Sequence, residues 1–186
     1  MSQAPRAWCL LLMITPASNM DTHVKNHLGL LQDLLKSSDV DLRMTASEAV
    51  ALLYELARDN DKDFEDAENE AAPFELLKQL ATDSAKHRSK NDRRQQRSCF
   101  RDVQRFVMDA ESPCETVKVG KENLLKLSTW SQKLQYDAPP AVLMTGMSAH
   151  LQASPLLRNI FYLGAPGVDG TVIQKLSLRL KGNSST

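Results

Sequence analysis

Two stretches with helical periodicity follow one another across a short turn, and neither can bury its own apolar face. Residues 19–37 place Val24, Leu28, Leu31, Leu34 and Leu35 three and four positions apart, which makes one stripe. Asp21 or Asn19 can cap its start, and Lys36 lies near its end, where a cation favours the helix dipole. Ser37, Ser38 and Asp39 turn the chain. Residues 41–58 then give Met44, Val50, Leu52, Leu53 and Leu56 as a broad buried face. Alanines at 46, 49, 51 and 57 let another helix approach closely. The resulting αα-hairpin exposes too much apolar surface to stand alone, so it is expected to stack in a helical solenoid. A chain of 186 residues has room for one solid core or two small packed units.

Charge organises the middle of the chain. Residues 59–70 carry seven acids and one lysine, whereas residues 84–101 carry seven Lys or Arg and one Asp. The formal net charge of zero therefore hides a polarised molecule, and local charge governs encounter with charged partners. The acidic run reads as a solvated loop, as an electrostatic brake on the basic block, or as a docking surface for a basic partner. Pro73 suits the first turn of a helix over 74–81, with Leu76, Leu77 and Leu80 on its apolar side. A long helix is expected over 86–110, starting near Ser84 or Ser89. Its first part is polar, and Phe100, Val103, Phe106 and Val107 return at helical spacing. Arg93, Arg97 and Arg101 fall within one arc, beside Arg94, and the planar guanidinium fork suits phosphate.

Beyond Ser112 the pattern changes. Residues 115–119 alternate as a strand and Gly120 turns the chain. Residues 124–130, extending toward Tyr136, are the expected antiparallel partner. Pro139 and Pro140 end that region. Residues 141–162 read as a helix in two pieces. Ser148 or Ser154 caps the second, and Leu156, Leu157, Ile160 and Phe161 form its core face. A short element over 172–180 and a disordered tail over 182–186 complete the chain. At the other end, the apolar run 8–14 is too short for a membrane span and a poor secretory signal. It is expected to be the last element of something larger, the alternative being a helix docked on this chain's own core.

The residue types argue against catalysis. Cys9, Cys99 and Cys114 are far apart, odd in number and without CxxC spacing. Cys99 lies among arginines, which could lower its pKa. His23 and His27 are four apart, but a metal site needs two further ligands, and Asp21 and Asp39 are poorly placed to supply them. No nucleophile elbow, P-loop or dinucleotide fingerprint is present. The expectation is a protein that is not an enzyme, with no metal, cofactor, membrane or small-molecule substrate. For the basic block, three readings stay open: a solvated helix salt-bridged to residues 59–70, contact with nucleic-acid phosphates, or contact with an acidic protein. No aromatic residue interleaves the arginines before Phe100, so backbone or shape recognition is favoured over base stacking.

The pattern Arg43-x-x-Ala46-x-Glu48-Ala49 after a short turn is common in armadillo-like arrays. Together with neighbouring motifs it resembles the interferon-related developmental regulator family. The stretches that carry the resemblance are 41–58 (DLRMTASEAVALLYELAR), 77–88 (LKQLATDSAKHR), 92–103 (DRRQQRSCFRDV), 115–118 (ETVK) and 157–161 (LRNIF). Ser47 stands where a glycine is expected, and the tail after Leu180 lacks a Lys/Arg-rich extension.

The resemblance implies a mainly α fold: the end of an armadillo-like α-α solenoid over 1–58, an acidic linker over 59–73, and a helical domain with a long basic helix and a small β-hairpin over 74–181. It also implies a non-enzymatic regulator of nucleus and cytoplasm. Members act as transcriptional co-regulators through other proteins, including histone-deacetylase complexes, and one branch associates with translationally inactive ribosomes. The leading expectation is a ribosome-binding translational repressor acting by steric occupancy. Lys86, Arg88, Lys90, Arg93, Arg94, Arg97 and Arg101 would meet ribosomal RNA. The alternative is an interaction scaffold for co-repressor proteins, with Leu31, Leu35, Arg43, Glu48 and Tyr54 on its partner surface.

Overall fold

A computed structural model of the chain describes residues 4–62, 64, 71–82, 89–119, 123–138 and 147–164. Lys86, Arg88, most of the acidic run (63 and 65–70) and the elements expected over 172–180 and 182–186 lie outside the described residues. The protein is mainly α-helical with one small antiparallel β-hairpin. Contacts divide it into two compact units, Met1–Pro113 with Thr129–Leu134, and Cys114–Ser128 with Gln135–Thr186.

In the first unit, α1 (Ala4–Leu12), a single 3-10 turn (Ala17–Asn19), α2 (Met20–Leu35) and α3 (Val40–Asn60) are followed by α4 (Ala71–Thr82) and α5 (Lys90–Asp109). Helix α3 is the centre: α1, α2 and α5 all pack on it, while α4 packs on α5 and touches α2. Asp39 starts it, its Oδ1 accepting from the backbone N–H of Asp41 at 2.9 Å and of Leu42 at 3.3 Å, which satisfies donors the first turn leaves open. The alanines at 46, 49, 51 and 57 are fully buried, so short side chains do set the close approach. Burial nevertheless runs without a break from Thr45 to Glu55, round the whole helix. An amphipathic stripe predicts one face; three packed neighbours require more, and the polar residues drawn inside have found partners. Ser47, for example, donates from Oγ to the Met44 carbonyl at 2.7 Å.

Helix α1 buries Cys9 and Leu12 in this core and leaves Leu11 exposed, as is Ile14 in the turn that follows. Helix α5 begins at Ser89, whose Oγ accepts from the Asp92 N–H at 3.2 Å. Gln96, Phe100, Val103, Phe106 and Val107 point inward. Arg58, in the last turn of α3, reaches across to the end of α5 and donates to the carbonyls of Phe106 (2.8 Å) and Val107 (2.6 Å). Its guanidinium also lies over the rings of Tyr54 and Phe106, 5.4 and 5.5 Å from their centroids. A cation at a helix C-terminus is favoured by the dipole, and here it also pins two helices together.

In the second unit, β1 (Glu115–Val119) pairs with β2 (Asn123–Leu127), Val117 opposite Leu125. Val119, Leu125 and Leu127 face a small core with Met147, Leu151, Phe161 and Leu163. Helix α6 (Trp130–Asp137), whose residues to Leu134 belong to the first unit, begins where the second strand is expected to continue. The strand ends at Leu127 because Thr129 Oγ1 accepts from the Gln132 N–H, and a distant carboxylate takes the two preceding amides. Helices α7 (Met147–Ala153) and α8 (Pro155–Ile160) lie within the stretch 141–162 expected to be helical, of which 141–146 fall outside the described residues. Ser154 Oγ caps α8 ahead of Pro155 in its first turn. Its core face differs from expectation: Leu156 and Ile160 are exposed, and Arg158 is buried instead. The Arg158 guanidinium can sit inside because it donates to the carbonyls of Leu151, Gln152, Leu163 and Gly164, at 2.6 to 3.4 Å.

Candidate functional site

Helix α5 has a fixed face and a charged face. The fixed face is tied to α3 and to the first turn of α6. Glu48 Oε1 pairs with Lys133 Nζ at 2.9 Å, and both side chains are largely buried. Cys99 stands 3.7 Å from Ser47 Oγ and 4.0 Å from Glu48. Burial, helped by the Glu48 charge, pushes the Cys99 thiol up to about 12. This corrects the expectation that neighbouring arginines depress it: the thiol is turned to Ser47 and the Glu48 carboxylate of α3. Burial likewise raises Cys9 to about 12, again with Glu48 contributing. Neither is an activated nucleophile, and only Cys114 is exposed.

Glu55 closes the interior. It accepts from the Trp130 N–H at 2.6 Å, the Ser131 N–H at 2.9 Å and the Ser131 hydroxyl at 2.6 Å. The carboxylate thus caps α6 from 75 residues away in sequence. Trp130 itself packs edge-on against Phe106, with centroids 6.1 Å apart.

On the charged face, Lys90, Arg94 and Arg101 are exposed, and Arg93 and Arg97 are half-buried. The arginines at 93, 97 and 101 continue at the same four-residue interval to Arg105. Arg105 extends the series beyond the expected Arg101, and the interval alone signals it. Arg101 and Arg105 line a groove of about 440 Å³ between α4 and α5. Helix α4 supplies Phe74, Lys78, Ala81 and Thr82 to it. Helix α5 adds Gln104, Met108 and Asp109.

The residues expected to meet a protein partner do not form one surface. Leu31 and Leu35 are core residues of α2, and Tyr54 is buried under the edge of Phe64, 5.9 Å away. Their apolar side chains fill the interior, which removes them from any docking face. Glu48 is buried in its pair with Lys133. Arg43 is half-buried and donates from Nη1 to the Ser37 carbonyl at 3.2 Å, holding the α2–α3 turn. His23 and His27 stack 5.3 Å apart, and among the described residues no group of three His, Cys, Asp or Glu could hold a metal ion. Among those residues no helix is long and apolar enough to cross a membrane.

Comparison with known proteins places this architecture. The family described as interferon-related developmental regulator matches residues 1–108. The chain is 45% identical over 162 residues to interferon-related developmental regulator 1 of Sus scrofa, covering 86% of this chain and 35% of that protein. It is 44% identical over 162 residues to the same protein of Homo sapiens, with the same coverage. It is 46% identical over 161 residues to interferon-related developmental regulator 2 of Mus musculus, covering 87% of this chain and 36% of that protein. The chain thus spans about a third of the length of the curated relatives it matches. These matches correct the leading expectation of a ribosome-docking translational repressor, and with it the ribosome and ribosomal RNA as partners. The relatives are named as developmental regulators, which backs the alternative reading as a regulatory interaction protein.

Proposed function

The chain belongs to the interferon-related developmental regulator family, and from that membership we propose that it is a non-enzymatic scaffold in transcriptional control, working with co-repressor proteins. The family is one of regulators, and its name carries no reaction. Membership is the observation that carries the reading; the packing supports it. The α2–α3 hairpin and the α4–α5 pair stack through contacts of α3 with α5 and of α2 with α4. Successive helical pairs layered in this way fit the end of an armadillo-like solenoid, whose outer faces are used for binding other proteins. Leu11 and Leu30 leave apolar surface on α1 and α2, with Ile14 in the turn after α1, and Lys90, Arg94 and Arg101 leave positive charge on α5. Both are features a protein partner can read. The scaffold acts by occupancy, in the nucleus as well as the cytoplasm.

The test is recovery of a histone-deacetylase-containing co-repressor complex from nuclear extract by the full-length protein. Deacetylase activity should accompany the bait through a salt wash, and cell fractionation should find the protein in both compartments. Failure of the full-length protein to retain the complex sinks the reading.

A further inference from the structure

We infer that the groove between α4 and α5 is a receptor for an acidic amphipathic segment of a partner protein. The inference rests on the scaffold reading above and names a site and a ligand chemistry for it. The groove has an apolar floor and a cationic rim. Phe74 and Ala81 on α4 and Met108 on α5 supply the floor. Lys78, Arg101 and Arg105 supply the rim. The α4 stretch from Phe74 to Thr82 spans about 12 Å at 1.5 Å per residue, the length of two turns of a docked helix. The groove encloses about 440 Å³.

Arg101 and Arg105 are both exposed and stand one turn apart, so each can present its fork to a different carboxylate. Met108 is 51% exposed, an adaptable apolar contact awaiting a partner. Lys78 sits only 3.7 Å from Glu75 in a solvent-exposed pair, which an incoming carboxylate can displace. A ligand with apolar residues at helical spacing and acids flanking them satisfies floor and rim together.

The same geometry disfavours a nucleic-acid strand. Its bases would lack a free aromatic face on which to stack. Lys78 Nζ already lies 5.8 Å from the Phe74 ring centroid, and that ring is half-buried.

Fluorescence anisotropy with the 186-residue chain tests the assignment. The probe is a labelled peptide of about twelve residues, long enough for two to three turns, with Leu and Phe at helical spacing among Asp and Glu. Its controls replace the acids by Lys, or Leu and Phe by Ser. A single-stranded RNA of equal charge serves as competitor. The acidic amphipathic peptide should bind saturably and at least about tenfold tighter than either control. The double reversal Arg101→Glu with Arg105→Glu should lose about tenfold or more, and Met108→Ser about threefold. Lys25→Glu, on exposed α2 surface, should change nothing. If the double reversal lowers helicity, Arg101→Gln with Arg105→Gln replaces it and should flatten the salt dependence of binding.

Equal binding of the Lys-bearing peptide overturns the inference. So does undiminished binding by a folded groove variant, or displacement by the RNA at equal charge concentration. If the peptide fails while the full-length protein still retains the co-repressor complex, the groove assignment falls and the scaffold reading stands. If the peptide binds but no complex is retained, the reverse holds.

Discussion

Replacing Glu55 removes the most consequential hydrogen-bond acceptor in the first unit. Its carboxylate, in a residue only 8% exposed, takes two backbone amides and one hydroxyl of the first turn of α6. Hydrogen bonds to a charged group contribute about 1.5–3 kcal/mol each, and the amides left behind in Glu55→Ala carry the full desolvation cost. The three bonds share one carboxylate and do not add, so a loss of about 3–4 kcal/mol is expected. That is a large part of the roughly 5–15 kcal/mol that holds a domain together, and it corresponds to a melting-temperature drop of about 10 °C. Glu55→Gln keeps the shape and one acceptor oxygen and should cost about 1–2 kcal/mol.

The assay is urea unfolding followed by far-UV circular dichroism and tryptophan fluorescence, with Trp130 at the affected turn. A double-mutant cycle with Ser131→Ala isolates the hydroxyl bond, with an expected coupling of about 1 kcal/mol. Glu75→Ala serves as the control, because an exposed pair is worth about 0.5 kcal/mol or less. A Glu55→Ala protein within 0.5 kcal/mol of wild type, or strict additivity with Ser131→Ala, would refute the remote cap.

Arg58→Ala should cost about 2–3 kcal/mol, because two carbonyls at the end of α5 lose a charged donor; Arg58→Lys, which cannot fork, should restore less than half. Arg158→Met should destabilise the second unit selectively, read as lost amide-exchange protection in the β1–β2 hairpin and α7 with α5 unaffected. With a thiol-specific disulfide reagent, exposed Cys114 should react first, half-buried Cys99 far more slowly, and buried Cys9 only at the rate of unfolding. The folded pKa of both thiols lies near 12, above the ordinary 9.0, so the fold favours their protonated form. Their contribution is therefore complete below pH 9 and is lost as pH rises toward 12; urea midpoints should fall across that window, and less steeply in Cys99→Ala.

What could be read from the sequence was local. Helices expected over 19–37, 41–58 and 86–110 lie at Met20–Leu35, Val40–Asn60 and Lys90–Asp109, Ser89 and Ser154 prove to be the caps among the alternatives, and the first strand follows its alternation. The misses share one physical cause. Glu48, Glu55, Arg58 and Arg158 are charged, so pattern reading puts them on the surface. Three of them are held by partners 48 to 85 residues away, which no local window can see. The second strand was drawn too long for the same reason: Trp130 looks like strand alternation until the distant Glu55 takes its amide. Leu156 and Ile160 were assigned to a core whose place Arg158 fills.

Helix α5 shows what this does to functional inference. Its arginine series was legible as charge, and charge alone pointed to phosphate. Which face the charges occupy depends on what lies beside them. Packing turns Cys99 toward Glu48, leaves Arg97 half-buried, and sets Arg101 and Arg105 beside Phe74 and Met108 across from α4. A bare basic face would be indifferent to the identity of an anion. A basic rim over an apolar floor selects for anions that carry apolar groups at helical spacing, and a protein segment supplies these where a nucleic-acid backbone does not.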